Sequence, residues 1–127
     1  MLTEKALEKK NWAILGASPK KDKFANKIMR RLMELDYNVF LVNPNYDEID
    51  GLEVYKDISD IPEEIQVVNV VINKNQSLDF VRQKDLSKFD YIWFQPGTFD
   101  DGVINLAKEK NENVIAGECV LVETRGR

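Results

Sequence analysis

Gly16, Ala17 and Ser18, followed at once by Lys20, Lys21 and Lys23, are the residues of this chain best suited to hold an anion. An apolar run, Trp12-Ala-Ile-Leu15, leads into them, and an apolar-periodic segment follows from Phe24. A glycine turn between a strand and a helix exposes backbone N–H groups where the helix dipole is positive, and phosphate is attracted to that combination. Ser18 adds a hydroxyl donor, and the lysines add mobile positive charge. The turn is not the dinucleotide fingerprint, because Ala17 and Ser18 stand where further glycines are needed. It points to a phosphorylated ligand, but not to NAD held in the usual way. A plainer reading stands beside this one: a tight strand-to-helix turn followed by a solvated lysine face.

Other chemistry is excluded by what the chain lacks. It has no histidine and one cysteine, Cys119. Ser-His-Asp and Cys-His catalysis, phosphohistidine and a histidine general base are therefore absent. A closed zinc site of Cys and His ligands cannot be assembled within one chain, nor can an intrachain disulfide. The acidic run from Asn45 to Gly51 fails as a calcium loop: with Gly51 in the sixth position, Tyr46 falls where the first carboxylate belongs. It reads as a solvated loop. No catalytic or metal-ligating set emerges. A net charge of −4 argues against a nucleic-acid binder. No signal peptide is recognisable, and no apolar run approaches the roughly 20 residues of a membrane span. The expectation is a cytoplasmic protein, and 127 residues suit a single domain spanning 1–127.

The elements that must position these residues alternate along the chain. Thr3 to Lys9 reads as a lead-in helix and Trp12 to Leu15 as the first strand. Phe24, Ile28, Leu32 and Leu35 mark a core-facing helix that ends at Asp36-Tyr37-Asn38. Val39–Val42, Val67–Ile72, Tyr91–Phe94 and Asn113–Ala116 read as four more strands, with Leu52–Tyr55 a short extended piece between the first two of these. Ser59–Glu64 reads as a helical turn, Gln76–Leu86 as a helix, and a further helix follows Asp100 or Asp101. Trp93 and Phe94 read as core, and Asn69 as a buried, satisfied polar group. The pattern predicts an α/β fold: a five-stranded parallel sheet with helices on both faces, in three layers. Ligands in such sheets bind beyond the strand carboxyl ends. Four segments should gather there: Gly16-Ala17-Ser18, Asn43-Pro44, Asn73-Lys74 and Gln95-Pro96-Gly97. Asn43 stands where an NAD enzyme usually carries an acidic residue for the ribose hydroxyls. A neutral residue there tolerates a phosphate on that ribose, and Asn43-Pro44 equally describes the start of a turn.

With these segments in order, the chain resembles the small CoA-binding proteins of the Rossmann type, whose domain is similar to that of the succinyl-CoA synthetase alpha subunit. The resemblance rests on Ile14-Leu-Gly-Ala-Ser-Pro-Lys20, Tyr37-Asn-Val-Phe-Leu-Val-Asn-Pro44, Gly51-Leu-Glu-Val-Tyr55 with Ile58-Ser-Asp-Ile-Pro62, Val67-Val-Asn-Val-Val71, Ile92-Trp-Phe-Gln-Pro-Gly97 and Asn113-Val-Ile-Ala-Gly-Glu-Cys119. It covers roughly residues 11 to 122, and its specificity lies in the ordered combination. Val120 replaces the family's proline after the late cysteine, and Asp36 replaces its glycine before the second strand.

The resemblance implies a Rossmann-like fold that binds CoA or acyl-CoA without covalent chemistry of its own, with a partner enzyme or a homodimer as its protein partners. It implies that Gly16, Ala17 and Ser18 approach the diphosphate, with Lys20 and Lys23 pairing with the diphosphate or the 3′-phosphate. Asn43, Pro44, Asn73 and Lys74 would complete the rim, and Gln95, Pro96 and Gly97 would line the exit of the pantetheine arm. An ordinary loop accounts equally for the last three. Cys119 reads as inert core, with a mixed disulfide or redox sensing as its alternative. The competing functions are a small NAD(P)-dependent oxidoreductase, a ligase fragment or other nucleotide-binding Rossmann domain, and a scaffold without ligand.

Overall fold

Runs that are apolar on both faces can be buried throughout only in a sheet covered on both sides, and such runs form the centre of this molecule. A computed structural model describes residues 1–127. Its strands are β1 Asn11–Leu15, β2 Asn38–Val42, β3 Glu48–Ile49, β4 Leu52–Tyr55, β5 Val67–Val70, β6 Tyr91–Phe94 and β7 Val114–Ala116. They make one seven-stranded sheet in the order β3-β4-β2-β1-β5-β6-β7. All neighbours are parallel except β3 and β4.

The expected five-stranded parallel sheet is thus corrected to seven strands with one antiparallel edge. Leu52–Tyr55 is a true sheet member, because Val54 and Tyr55 pair with Leu41 and Val42 of β2. The run expected as a solvated loop contains β3, and Ile49 within it is 1% exposed. Asp50 and Gly51 turn the chain back at φ 51 and φ 80. Two successive residues at positive φ make the tight hairpin turn that Asp-Gly favours.

The helices are α1 Leu2–Leu7, α2 Phe24–Glu34, α3 Lys74–Gln83, α4 Asp101–Lys110 and α5 Val120–Glu123. One core layer joins Ala6, Ile28, Leu32 and Val120 of α1, α2 and α5 to Trp12, Ile14 and Trp93. The other joins Phe80, Val81, Val103 and Ala107 of α3 and α4 to Ala13, Val68, Ile92 and Phe94. Strand residues therefore alternate between two cores, as the two-residue period requires. Both indoles are fully buried, with their N–H groups donating to Lys9 O and Glu118 O at 2.8 Å.

Local chemistry sets the element ends. Asp36 closes α2 at φ 65, a conformation aspartate tolerates better than most residues. Asn73 caps α3 reciprocally: its side chain accepts from Gln76 N at 2.8 Å, while Gln76 Oε1 accepts from Asn73 N at 3.2 Å. The helix accordingly starts at Lys74, two residues before the sequence suggests. Asp100 Oδ1 accepts from Val103 N at 2.9 Å and starts α4. Because β2 and β5 flank β1 on opposite sides, the strand order reverses beside the carboxyl end of β1.

Candidate functional site

At this reversal the rim opens into a cleft of about 490 Å³. Leu15, Gly16, Val42, Val71 and Ile72 form its base, with Asn43-Pro44-Asn45 and Lys56-Asp57 on one side and α3 on the other. Gly16 stands at φ 100, and a Cβ there would lie 2.3 Å from Val71 O. Only glycine lets the chain leaving β1 pass this close to the chain leaving β5.

The amides of the turn are not left open as the sequence suggests. Gly16 N and Ala17 N both donate to Val42 O, at 3.0 and 3.2 Å, and Ala17 is buried. The anion-facing chemistry moves onward to Ser18 through Lys23 and the first turn of α2. Lys20, Lys21 and Lys23 are exposed. Two residues that sequence reasoning missed hold this loop. Asn26, fully buried, donates through Nδ2 to Ser18 O at 2.8 Å and accepts from Arg30 Nε at 2.9 Å. Arg30 Nη2 in turn donates to Lys21 O at 2.9 Å. Their four-residue spacing on one helix face was the available signal.

Asn43 follows the turn reading. Its Nδ2 donates to Ala17 O at 2.7 Å, its Oδ1 accepts from Asn45 N at 2.9 Å, and its own N–H donates to Tyr55 O at 3.0 Å. It ties the glycine turn to the ends of β2 and β4 and keeps Pro44 on the cleft edge. Gly16, Asn43, Pro44 and Asn73 thus meet at one cleft, while Ser18, Lys20 and Lys23 lie in the loop beyond it and Lys74 is an exposed position on α3.

Gln95 needs correction. Its side chain is fully buried, donating through Nε2 to Asn69 Oδ1 at 2.7 Å and accepting from Val120 N at 3.1 Å. It anchors α5 and cannot line an exit channel, whereas Pro96 and Gly97 are exposed on the rim. Asn69 is only half as expected: its Oδ1 is satisfied, but its buried Nδ2 has no partner. Cys119 is not buried core. It is partly exposed, between β7 and α5.

The side of the cleft beyond β4 was not foreseen. Lys84 Nζ lies 2.6 Å from Asp57 Oδ2, and Asp57 also accepts from the Ser59 amide and hydroxyl as it caps the 3-10 turn Ile58–Asp60. Burial pushes the Asp57 carboxyl up, but hydrogen bonds from Lys84 and Ser59 and the Lys84 charge outweigh it and bring the pKa to about 2. Lys56 Nζ contacts Asp47 Oδ1 at 2.8 Å and Tyr46 O at 3.0 Å. The Lys56 bond and charge hold the Asp47 carboxyl below its ordinary range. No three Cys, Asp or Glu side chains converge as metal ligands would. No helix is long and apolar enough to cross a membrane. With an apolar base, side-chain amides and two lysines on its sides beside Asp57 and Asp79, the cleft can take a ligand that joins a flat apolar ring to a phosphate.

Known proteins resemble this chain at both levels. A family model described as a CoA binding domain matches residues 10–125. The YneT protein of Bacillus subtilis (strain 168) is 26% identical over 114 residues, which cover 89% of this chain and 84% of that protein. An acetate–CoA ligase (ADP-forming) of Methanocaldococcus jannaschii is 35% identical over 63 residues, 50% of this chain but only 9% of the ligase. Among solved structures, a hypothetical protein from Pyrococcus horikoshii OT3 superposes with a TM-score of 0.87 at 32% identity, covering 96% of this chain and 86% of that one.

Proposed function

The chain belongs to the CoA-binding domain family, and on that premise we propose that it binds CoA or acyl-CoA at the cleft where the strand order reverses, as one domain over residues 1–127. In this reading it holds or presents the thioester carrier to a partner enzyme and performs no covalent step itself. The observation that carries the reading is the meeting of Gly16, Asn43, Pro44 and Asn73 at one cleft, with the Ser18–Lys23 loop following Gly16 in the chain beyond it. That is where a nucleotide lies in an open parallel sheet.

The CoA reading gives each of these residues a role. Gly16 and Ala17 shape the turn, and the Ser18 hydroxyl, Lys20 and Lys23 meet the diphosphate. Lysines suit that task as mobile point charges. Asn43 and Pro44 border the adenosine on the side of β2, and Asn73 with Lys74 borders it at the start of α3. Pro96 and Gly97, exposed after β6, would border the pantetheine arm as it leaves toward solvent and a partner.

Thermal denaturation with CoA, acetyl-CoA, dephospho-CoA and NAD tests this. A ligand at 100 times its Kd stabilises the native state by about 2.7 kcal/mol. For a domain of this size that is a rise of roughly 10 °C in Tm. CoA and acetyl-CoA are expected to produce it, and NAD is not. Stabilisation by NAD without CoA would overturn the proposal in favour of a nicotinamide enzyme, and indifference to all four would leave a scaffold.

A further inference from the structure

Two lysines that lie far from the glycine turn in sequence border the cleft, and they differ in what holds them. The Lys84 ammonium is tied to Asp57, which is itself engaged in capping a turn, so Lys84 cannot move without loosening the wall. Lys56 pairs with Asp47, whose side chain is 94% exposed, and exposed pairs of this kind are weak. Of three ammonium donors, Lys56 uses one on Asp47 and one on Tyr46 O.

Its position matters more than its charge. The end of β2 is where nucleotide-binding sheets meet the ribose. Here Tyr55 pairs with Val42, and Tyr55 O accepts from Asn43 N, so Lys56 emerges beside Asn43 at that end. Lys20 and Lys23 belong to the other side, where β1 leads into α2. An adenosine crossing the cleft would therefore present its diphosphate to the Ser18–Lys23 loop and its ribose to Asn43 and Lys56.

We propose that Lys56 reads a phosphate monoester on the ribose of the bound nucleotide and so sets the specificity of the cleft. The inference rests on the CoA reading for the identity of that group, the 3′-phosphate, although a 2′-phosphate on NADP offers the same chemistry. Asp47 occupies the ammonium until the phosphate replaces it. Asp57 and Asp79 also border the cleft; Asp57 is neutralised by Lys84, and Lys56 must offset what repulsion of the phosphate remains.

Calorimetric titration of the full chain with CoA, dephospho-CoA, NADP and NAD tests this. The native chain is expected to prefer CoA over dephospho-CoA by about tenfold or more, the value of a charge-assisted contact. Lys56→Met should reduce that preference to about twofold while leaving dephospho-CoA affinity unchanged. Lys20→Ala should weaken both ligands equally. Asp47→Asn removes the same ion pair but keeps the cation, and should bind CoA at least as tightly as the native chain. A CoA preference that survives Lys56→Met overturns the inference, as does an Asp47→Asn loss equal to that of Lys56→Met, which would make the pair structural. Native binding of CoA and dephospho-CoA with equal affinity overturns it too, yet leaves CoA binding intact. Preference for NADP over NAD that Lys56→Met abolishes, with CoA ignored, supports Lys56 and overturns the CoA reading. Binding of none of the four overturns both.

Discussion

A methyl group at position 16 has nowhere to go: it would lie 2.3 Å from Val71 O and 2.7 Å from Ile72 Cγ2. Gly16→Ala combines this clash with an unfavourable positive φ, and should cost about 3 kcal/mol or more in urea unfolding. Gly97 has a similar φ of 85 but open space around it. Gly97→Ala should cost only about 1 kcal/mol, the conformational part alone. Equal losses would show that the crossing of the chains after β1 and β5 is not the reason for Gly16. Asp57 makes a different prediction. Its folded pKa of about 2 lies below the ordinary 3.8, so the native state favours the carboxylate. The resulting stability is fully present above the ordinary carboxylate range and is lost as pH falls from there through about 2. Asp57→Asn should therefore lower Tm at pH 6, and the gap from the native chain should shrink steadily as pH falls from about 4 toward 2. Because this side chain is 43% exposed, solvent screening limits the neutral-pH loss to about 1 kcal/mol. A gap that stays constant with pH would show that only the cap, and not the charge, matters.

At the scale of elements, α3 forms the cleft wall, and its C-terminus is held from outside. Lys110, at the end of α4, donates through Nζ to the carbonyls of Val81, Arg82 and Lys84. These are carbonyls that a helix end leaves unpaired, and the positive charge also meets the negative end of the dipole. Lys110→Met should cost about 1–2 kcal/mol. Amide exchange should quicken at Lys84, whose N–H bonds Phe80 O at 3.1 Å, more than at Ile14 in the sheet. Uniform quickening would mean that the lysine stabilises the whole fold and not the end of α3. The strands and helices of this frame were largely legible, since β1, β2, β5, β6 and β7 are dense in Val, Ile and aromatic residues. In the hairpin, β3 escaped and β4 was legible only as a short extended piece, because each strand is short and gives one residue, Ile49 or Val54, to the buried core. Its one clear signal was Asp50-Gly51.

For the whole molecule, the functional consequence of the topology is the cleft beside β1, and saturation with CoA is the measurement that addresses it directly. The wall beyond β4 shows why part of the site was hidden. Lys56, Asp57 and Lys84 belong to segments separated by a strand and most of a helix, and β4 comes beside β2 only through pairing. The burial of Gln95 was equally hidden. It follows a buried strand and precedes Pro-Gly, which reads as a rim, yet its side chain turns inward to Asn69 and Val120.

By itself, the sequence determined the fold class, the rim segments at the ends of β1, β2 and β5, the need for glycine at a tight exit from β1, and the family. These follow from local periodicity, turn chemistry and motif order, all carried by neighbours in the chain. Tertiary structure alone decided that the Gly16 and Ala17 amides are taken up by Val42, that Asn43 is a tie, and that Gln95 is an anchor. It also decided that Lys56 and Lys84 reach the cleft. Each of these depends on which strand lies beside which, and a hydrogen bond between distant residues leaves no period in the sequence to read.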